Sequence, residues 1–297
     1  MTGPERGFLL LGSHLGDSCR KPLTTAQLRV LADRIHGIEK PEEDRELEHS
    51  DLIALGYGRE MADRILSLLA EEDVLDYYLR KSEILGCRPV TRISEDYPLH
   101  LRKRLGLDSP GVLWARGDAR ILAQPMVALV GSRELREENW CFAAEAGRQA
   151  ALQGYVLVSG NARGADRTAQ ESCLDAGGKV ISVVADELWK QPILENVLYL
   201  SEDDFEAAFS AQRALSRNRV IHALGIMTFV AQVSMGTGGT WDGTVKNLQN
   251  CWSNVYGFDD GSEAMTELSQ MGLELIGMDD LSDFYDLPKS DINIFDR

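Results

Sequence analysis

The sequence predicts an α/β fold: a mostly parallel sheet with helices on both faces, preceded by a small all-helical domain. Three observations carry that prediction. From Met126 onward, short Val- and Ile-rich runs alternate with amphipathic segments, the pattern of strands buried on both faces and joined by crossover helices. Before that point, residues 8–85 place their apolar side chains at helical spacing. Glycine, serine and arginine then gather directly behind the apolar runs, where open parallel sheets collect their ligands.

In chain order, Leu28, Leu31, Ala32 and Ile35 set a helix over 24–35. The charged stretch 39–50 reads as a loop. Helices follow over 51–55 and 59–69, joined by Gly56-Tyr57-Gly58, and over 74–85. Residues 88–123 connect the two halves, with Pro98 and Pro110 marking extended or turn structure. Strands are expected over 126–130, 155–159, 179–185, 197–200, 226–232, 254–258 and 273–276. An amphipathic helix over 136–153 is expected to turn Trp140 to the core. The division is a helical domain at 1–88 and an α/β domain at 89–297 that ends in an acidic tail. No internal repeat or low-complexity tract interrupts it.

The 297 residues are 44% hydrophobic, enough to bury a full core. No apolar run reaches the ~18 residues of a membrane-spanning helix. The apolar patch at 8–11 lacks the length and cleavage site of a signal peptide, so a cytoplasmic protein is expected. Five widely spaced cysteines without a CxxC pair point to reduced thiols. The five histidines lack metal-ligand spacing, so no metal is expected. A net charge of −16 opposes phosphate binding in general. The acid is unevenly placed, however. Residues 1–120 hold 18 basic and 21 acidic side chains, whereas 259–297 hold 2 basic and 11 acidic. A local basic groove elsewhere remains compatible with the total.

Gly131-Ser132-Arg133 follows the first strand of the α/β part. Ser159-Gly160-Asn161-Ala162-Arg163-Gly164-Ala165-Asp166-Arg167 follows the second. Ser216-Arg217-Asn218-Arg219 opens a helix, and Gly236-Thr237-Gly238-Gly239-Thr240-Trp241 follows the strand after it. Glycines admit close backbone approach, hydroxyls and amides hold an anion, and helix N-termini add positive potential. Arg133, Arg136, Arg163, Arg167, Arg217, Arg219 and Lys246 lie in or beside these segments, seven of the 13 basic residues after residue 120. Their arrangement predicts a phosphate cradle at the carboxyl edge of the sheet. Blander readings stand beside it: Asp166 as a helix cap, Gly236–Thr244 as a tight turn, and Arg217 and Arg219 as ion-pair partners of Glu202, Asp203, Asp204 or Glu206.

These stretches resemble the DprA/Smf family. Asp96-Tyr97-Pro98 with Leu101, then Pro110-Gly111-Val112-Leu113 and Gly117, is similar to its "YP..L" and "P..L...G" segments. Residues 127–133 resemble its first strand and phosphate turn, 158–166 its "SGxAxGxD" loop, and 217–221 its "RNRxI" helix start. Gly238-Gly239-Thr240-Trp241 resembles a loop of some relatives. Gln170 stands where many relatives have histidine, and an acidic stretch stands where some carry a winged helix. The resemblance implies an extended Rossmann-like fold, single-stranded DNA binding, a homodimer, and cooperation with the RecA recombinase in natural transformation. It implies no catalytic residue. Gly131, Ser132, Arg133, Ser159, Gly160, Arg163, Gly164, Asp166, Arg167, Arg217, Asn218, Arg219, Gly238, Gly239 and Thr240 would line the DNA site. A base would stack on an aromatic such as Trp241 or Trp140.

In the helical part, Leu52-Ile53-Ala54-Leu55-Gly56-Tyr57-Gly58 resembles a helix-hairpin-helix, with Leu55 where proline is usual. Gly56 and Gly58 would then offer amides to a phosphate. A plain helical hairpin with a glycine turn is the alternative. Two further functions stay open on the same architecture. One is a sensor that binds a free nucleotide. The other is a phosphoribohydrolase-like enzyme with a "GGxGTxxE" loop, although Gly243 stands in the glutamate's place. No Walker A sequence or GxGxxG is present, and no cofactor is expected.

Overall fold

The computed structural model describes residues 1–36 and 47–288, so most of the loop expected over 39–50 lies outside the described residues. The chain opens with α1 (Gly3–Gly12), earlier than its apolar spacing indicates. Local chemistry explains the early start. Pro4 sits in the first turn, and the Thr2 hydroxyl and Glu5 carboxylate form a reciprocal capping box. Next come α2 (Thr25–His36), α3 (His49–Ala54), α4 (Arg59–Leu69) and α5 (Glu72–Ile84). Helices α2 to α4 close around Leu31, Leu52, Ala62, Ile65 and Leu68, a small core of their own. By contrast, α1 and α5 turn Leu9, Leu10, Leu75 and Tyr78 into the core of the sheet. There Tyr78 meets Trp114 edge-on at 5.5 Å and Phe205 at 4.7 Å.

The connecting segment expected over 88–123 instead contains two strands, β1 (Arg88–Thr91) and β2 (Val112–Gly117), around the short helix α6 (Leu99–Leu105). Four residues that include a proline give no legible period. Pro89 is tolerated because β1 is an edge strand, where a missing N–H costs little. The remaining elements are β3 (Met126–Val130), α7 (Glu137–Leu152), β4 (Val156–Ser159), α8 (Ala165–Asp175), β5 (Lys179–Val183) and β6 (Val197–Ser201). They continue with α9 (Ala211–Leu224), β7 (Met227–Val230), α10 (Gly238–Asn250), β8 (Asn254–Phe258), α11 (Glu263–Gln270) and β9 (Glu274–Ile276).

The strands form one sheet in the order β1-β2-β6-β5-β4-β3-β7-β8-β9. All pairings from β6 to β9 are parallel, and β1 and β2 add an antiparallel edge. The chain lays β4, β5 and β6 on one side of β3, then returns to lay β7 on the other. That reversal opens a crevice at the carboxyl ends of β3 and β7. Each strand divides its side chains between two cores, as the pleat requires. Val127 and Leu129 of β3 join Phe142 and Ala146 of α7 on one face. Met126, Ala128 and Val130 join Val220 and Leu224 of α9 on the other.

Two expectations are corrected here. The acidic stretch from Asp259 is no loose tail over its described length. It contains α11 and β9, and Leu281, Phe284 and Leu287 then pack back against the sheet, with the Phe284 amide donating to Gln153 Oε1 at 2.7 Å. Its acidic residues lie between apolar anchors. Trp140 is the second correction, because it is 52% exposed. The buried stripe of α7 runs through Asn139, Phe142, Ala143, Ala146, Gly147 and Ala150, and its small members, Ala143, Ala146, Gly147 and Ala150, let α7 approach α8 closely. An indole has no room in that contact.

Candidate functional site

Gly131-Ser132-Arg133 leaves β3 at the centre of the crevice, and three neighbouring segments are tied to it. The Ser132 amide donates to Gln232 O at 3.0 Å, which binds it to the segment after β7. The Ala165 amide donates to Ser132 O at 3.1 Å, which binds it to the start of α8. The Thr240 hydroxyl donates to Gly131 O at 2.9 Å, which binds it to the start of α10. Glycine is required at 131 because an added Cβ would lie 2.4 Å from Ala165 Cβ.

The loop after β4 is closed from within. Asp166 Oδ2 accepts the amides of Gly160 at 3.0 Å and Ala162 at 3.2 Å, so this carboxylate shapes the loop. Burial pushes its pKa up, opposed by the nearby Arg217 and by those two amides. Ser159 is buried, and Gln170, in the position where many relatives have histidine, donates to its hydroxyl at 2.5 Å. Arg217 reaches in from α9 and donates to Gly160 O at 2.5 Å and to Val183 O, clamping the ends of β4 and β5. It is 8% exposed. Burial lowers its pKa, while Asp166 and Asp186 favour its charge.

Around these ties lies a cleft of about 580 Å³. Of the residues expected at the site, Gly131, Ser132, Arg133, Asp166, Arg217, Asn218, Gly238, Gly239 and Thr240 line it. Ser159 and Gly160 lie behind it as supports. Arg163 and Arg167 are exposed on the loop and first turn leading into α8, next to it in sequence but outside its lining. Arg219 is turned to the other side of α9, where it pairs with Glu202 at 2.6 Å and donates to Asp108 O at 3.2 Å. That is the ion-pair alternative the sequence left open. Gly56, in a left-handed turn at φ +82°, and Gly58 join α3 to α4 and do not line the cleft.

The cations near the cleft thus differ in availability. Arg136 pairs with Asp260, and Lys246 with Asp242. Arg163 reaches Glu134 only at 3.6 Å, with both side chains largely in water. Among the described residues, Arg133 and Arg167 make no ion pair. The cleft lining also includes apolar side chains, Phe209, Ala214, Leu215 and Val233. Phe209 is 59% exposed, a large ring left in water at the rim of a polar site. Sequence reasoning passed over it because it stands alone in a loop without a motif. Trp241, the aromatic expected for stacking, is half-buried against the α9 side of the sheet.

Other features bound the chemistry. No helix among the described residues is long and apolar enough to cross a membrane. No group of three or more His, Cys, Asp or Glu among them is placed to hold a metal. At Gly243 an added Cβ would lie 3.0 Å from His222 Nε2 and 3.3 Å from Asn218 Cβ, so a glutamate there would need its neighbours to yield.

A family model described as DNA recombination-mediator protein A matches residues 88–256. The DNA processing protein DprA of Streptococcus pneumoniae is 29% identical over 192 residues, covering 60% of this chain and 68% of that protein. The Bacillus subtilis protein of the same name is 25% identical over 187 residues, 57% of this chain and 62% of that one. The match spans about two thirds of the length of these relatives. Among solved structures, that of DNA processing protein A from S. pneumoniae superposes with a TM-score of 0.69 at 23% identity, covering 96% of this chain and 98% of the other. That of DNA processing protein A from Helicobacter pylori, solved to describe its single-stranded DNA binding mode, superposes with a TM-score of 0.56 at 23% identity, over 67% and 93% of the two chains. At these identities the two structures speak for the fold.

Proposed function

Because the chain belongs to the DNA recombination-mediator protein A family, we propose that it binds single-stranded DNA in the cleft at the β3/β7 crevice and serves DNA processing during uptake and recombination. One observation carries this reading: the same cleft is lined both by polar groups and by apolar side chains. Arg133 and the amides of Gly131 and the α10 start meet phosphate, with Arg163 and Arg167 nearby. The exposed Phe209 ring in the same lining meets a base face, the combination that sequence-independent single-strand binders use. Arg217 and Asp166 hold the loops in place rather than the strand.

The action proposed is binding without turnover, in the cytoplasm, by a homodimer that passes its strand to the RecA recombinase. A free nucleotide is the second reading, because a cleft of about 580 Å³ has the size of a small-ligand site. Competition between mononucleotides and an oligonucleotide separates the two, and a nucleotide-hydrolysis assay tests the enzymatic alternative.

The deciding experiment is titration of an oligothymidylate at several salt concentrations with the unsubstituted protein and Arg133→Ala. Loss of one phosphate contact lowers the slope of log K against log salt by about 0.7. An unsubstituted protein that does not bind at low salt, or whose binding ignores salt, overturns the proposal.

A further inference from the structure

A second trough of about 660 Å³ adjoins the cleft, and Leu215, Asn218 and Gly238 line both. The ridge between them is low at Gly238, where an added Cβ would meet nothing within 4 Å. Trp252 lies in the trough, with Arg219 on the α9 wall and Lys246 on the α10 wall. These two cations are held very differently. Arg219 is bound to Glu202, a side chain only 9% exposed. Lys246 pairs at 2.8 Å with Asp242, one turn earlier on its own helix, and both side chains are about half in water. Such a surface pair is weak and yields to a competing anion.

The other way out of the cleft is less favourable. It passes Phe209 into a depression lined by two carboxylates, Glu202 and Asp203, against one guanidinium, Arg213, so the lining keeps a net negative charge that opposes a phosphodiester.

We propose that a bound single strand leaves the cleft over Gly238 and continues into this second trough, where Lys246 exchanges Asp242 for a phosphate. The extension rests on the cleft being the primary DNA site. It gives the strand a direction, across the starts of α9 and α10 and away from β6. It also makes affinity depend on length beyond what the first cleft holds.

Two probes test it: a thymidine trinucleotide, followed by amide chemical shifts, and an oligothymidylate of about 12 nucleotides, followed by fluorescence anisotropy at several salt concentrations. In Lys246→Ala the slope for the long strand falls by about 0.7 while the trinucleotide binds as before. In Asp242→Asn, which releases Lys246, the long strand binds more tightly and the trinucleotide does not. If both variants leave the long strand unchanged while the trinucleotide still binds, the second trough is refuted and the cleft stands. If the unsubstituted protein binds neither probe, the cleft itself is refuted, and the extension with it.

Discussion

Gly164→Ala tests whether the cradle depends on backbone contact rather than on any one cation. Gly164 precedes α8 with φ +86° and ψ −128°, a conformation nearly confined to glycine. A Cβ there would lie 2.5 Å from Ser132 O and 2.6 Å from the carbonyl carbon and oxygen of Arg133. All three are backbone atoms, so none can swing aside. Strain contributes about 1–3 kcal/mol, and the overlap a further ~1–3 kcal/mol as the two loops separate. The expected loss of stability is therefore about 2–6 kcal/mol. At roughly 2–4 °C per kcal/mol, the melting temperature falls by about 4–24 °C. Separation also breaks the Ala165-to-Ser132 hydrogen bond and moves Arg133, so DNA affinity falls in the protein that remains folded. Thermal melting and oligonucleotide titration read the two effects. Gly177→Ala is the comparison: φ is +78° there too, but an added Cβ meets nothing within 4 Å, so only ~1–2 kcal/mol of strain is expected. Equal effects of the two substitutions would refute the close approach of the β3 and β4 loops.

Phe209→Ala weakens DNA binding by about 1–3 kcal/mol, the loss of one stacked base, and leaves the salt slope unchanged because no charge is removed; a changed slope, or full affinity, argues against stacking. Acidification destabilises the fold through two buried imidazoles. Burial holds His222 down at about 3 and His100 at about 4, both below the ~6.5 of an unfolded chain. Since the folded values are depressed, the stability they confer is present above about pH 6.5 and is lost as pH falls toward the folded values. At pH 5 the loss is about 2 kcal/mol for each histidine. His222→Gln, whose amide oxygen can still accept from Asn247, removes its share, read by urea unfolding at pH 7 and 5. Identical pH dependence in the variant would show that His222 does not carry this loss.

The central strands and their flanking helices were legible because their signals are local. Met126–Val130 is a continuous apolar run of strand length, Asn254–Phe258 carries Val255, Tyr256 and Phe258, and 137–152 repeats at helical period. The antiparallel pair β1–β2 was not, because pairing between Arg88–Thr91 and Val112–Gly117 is a long-range event that four residues with a proline do not advertise. The burial of Leu281, Phe284 and Leu287 was hidden the same way, since the acid around them sets the local composition.

The site divides along the same line. By itself the sequence determined which loops follow the parallel strands, and therefore that Gly131–Arg133, residues 159–167 and Gly238–Thr240 gather at one edge; parallel pairing admits no other arrangement of strand ends. Only the tertiary structure decided what each arginine does there. A guanidinium on a long flexible stem takes whichever acceptor the fold brings within reach, and those acceptors come from distant parts of the chain: Gly160 and Val183 carbonyls for Arg217, the Glu202 carboxylate for Arg219, and, among the described residues, no carboxylate for Arg133. The same convergence of remote segments places Phe209 in the lining of the cleft.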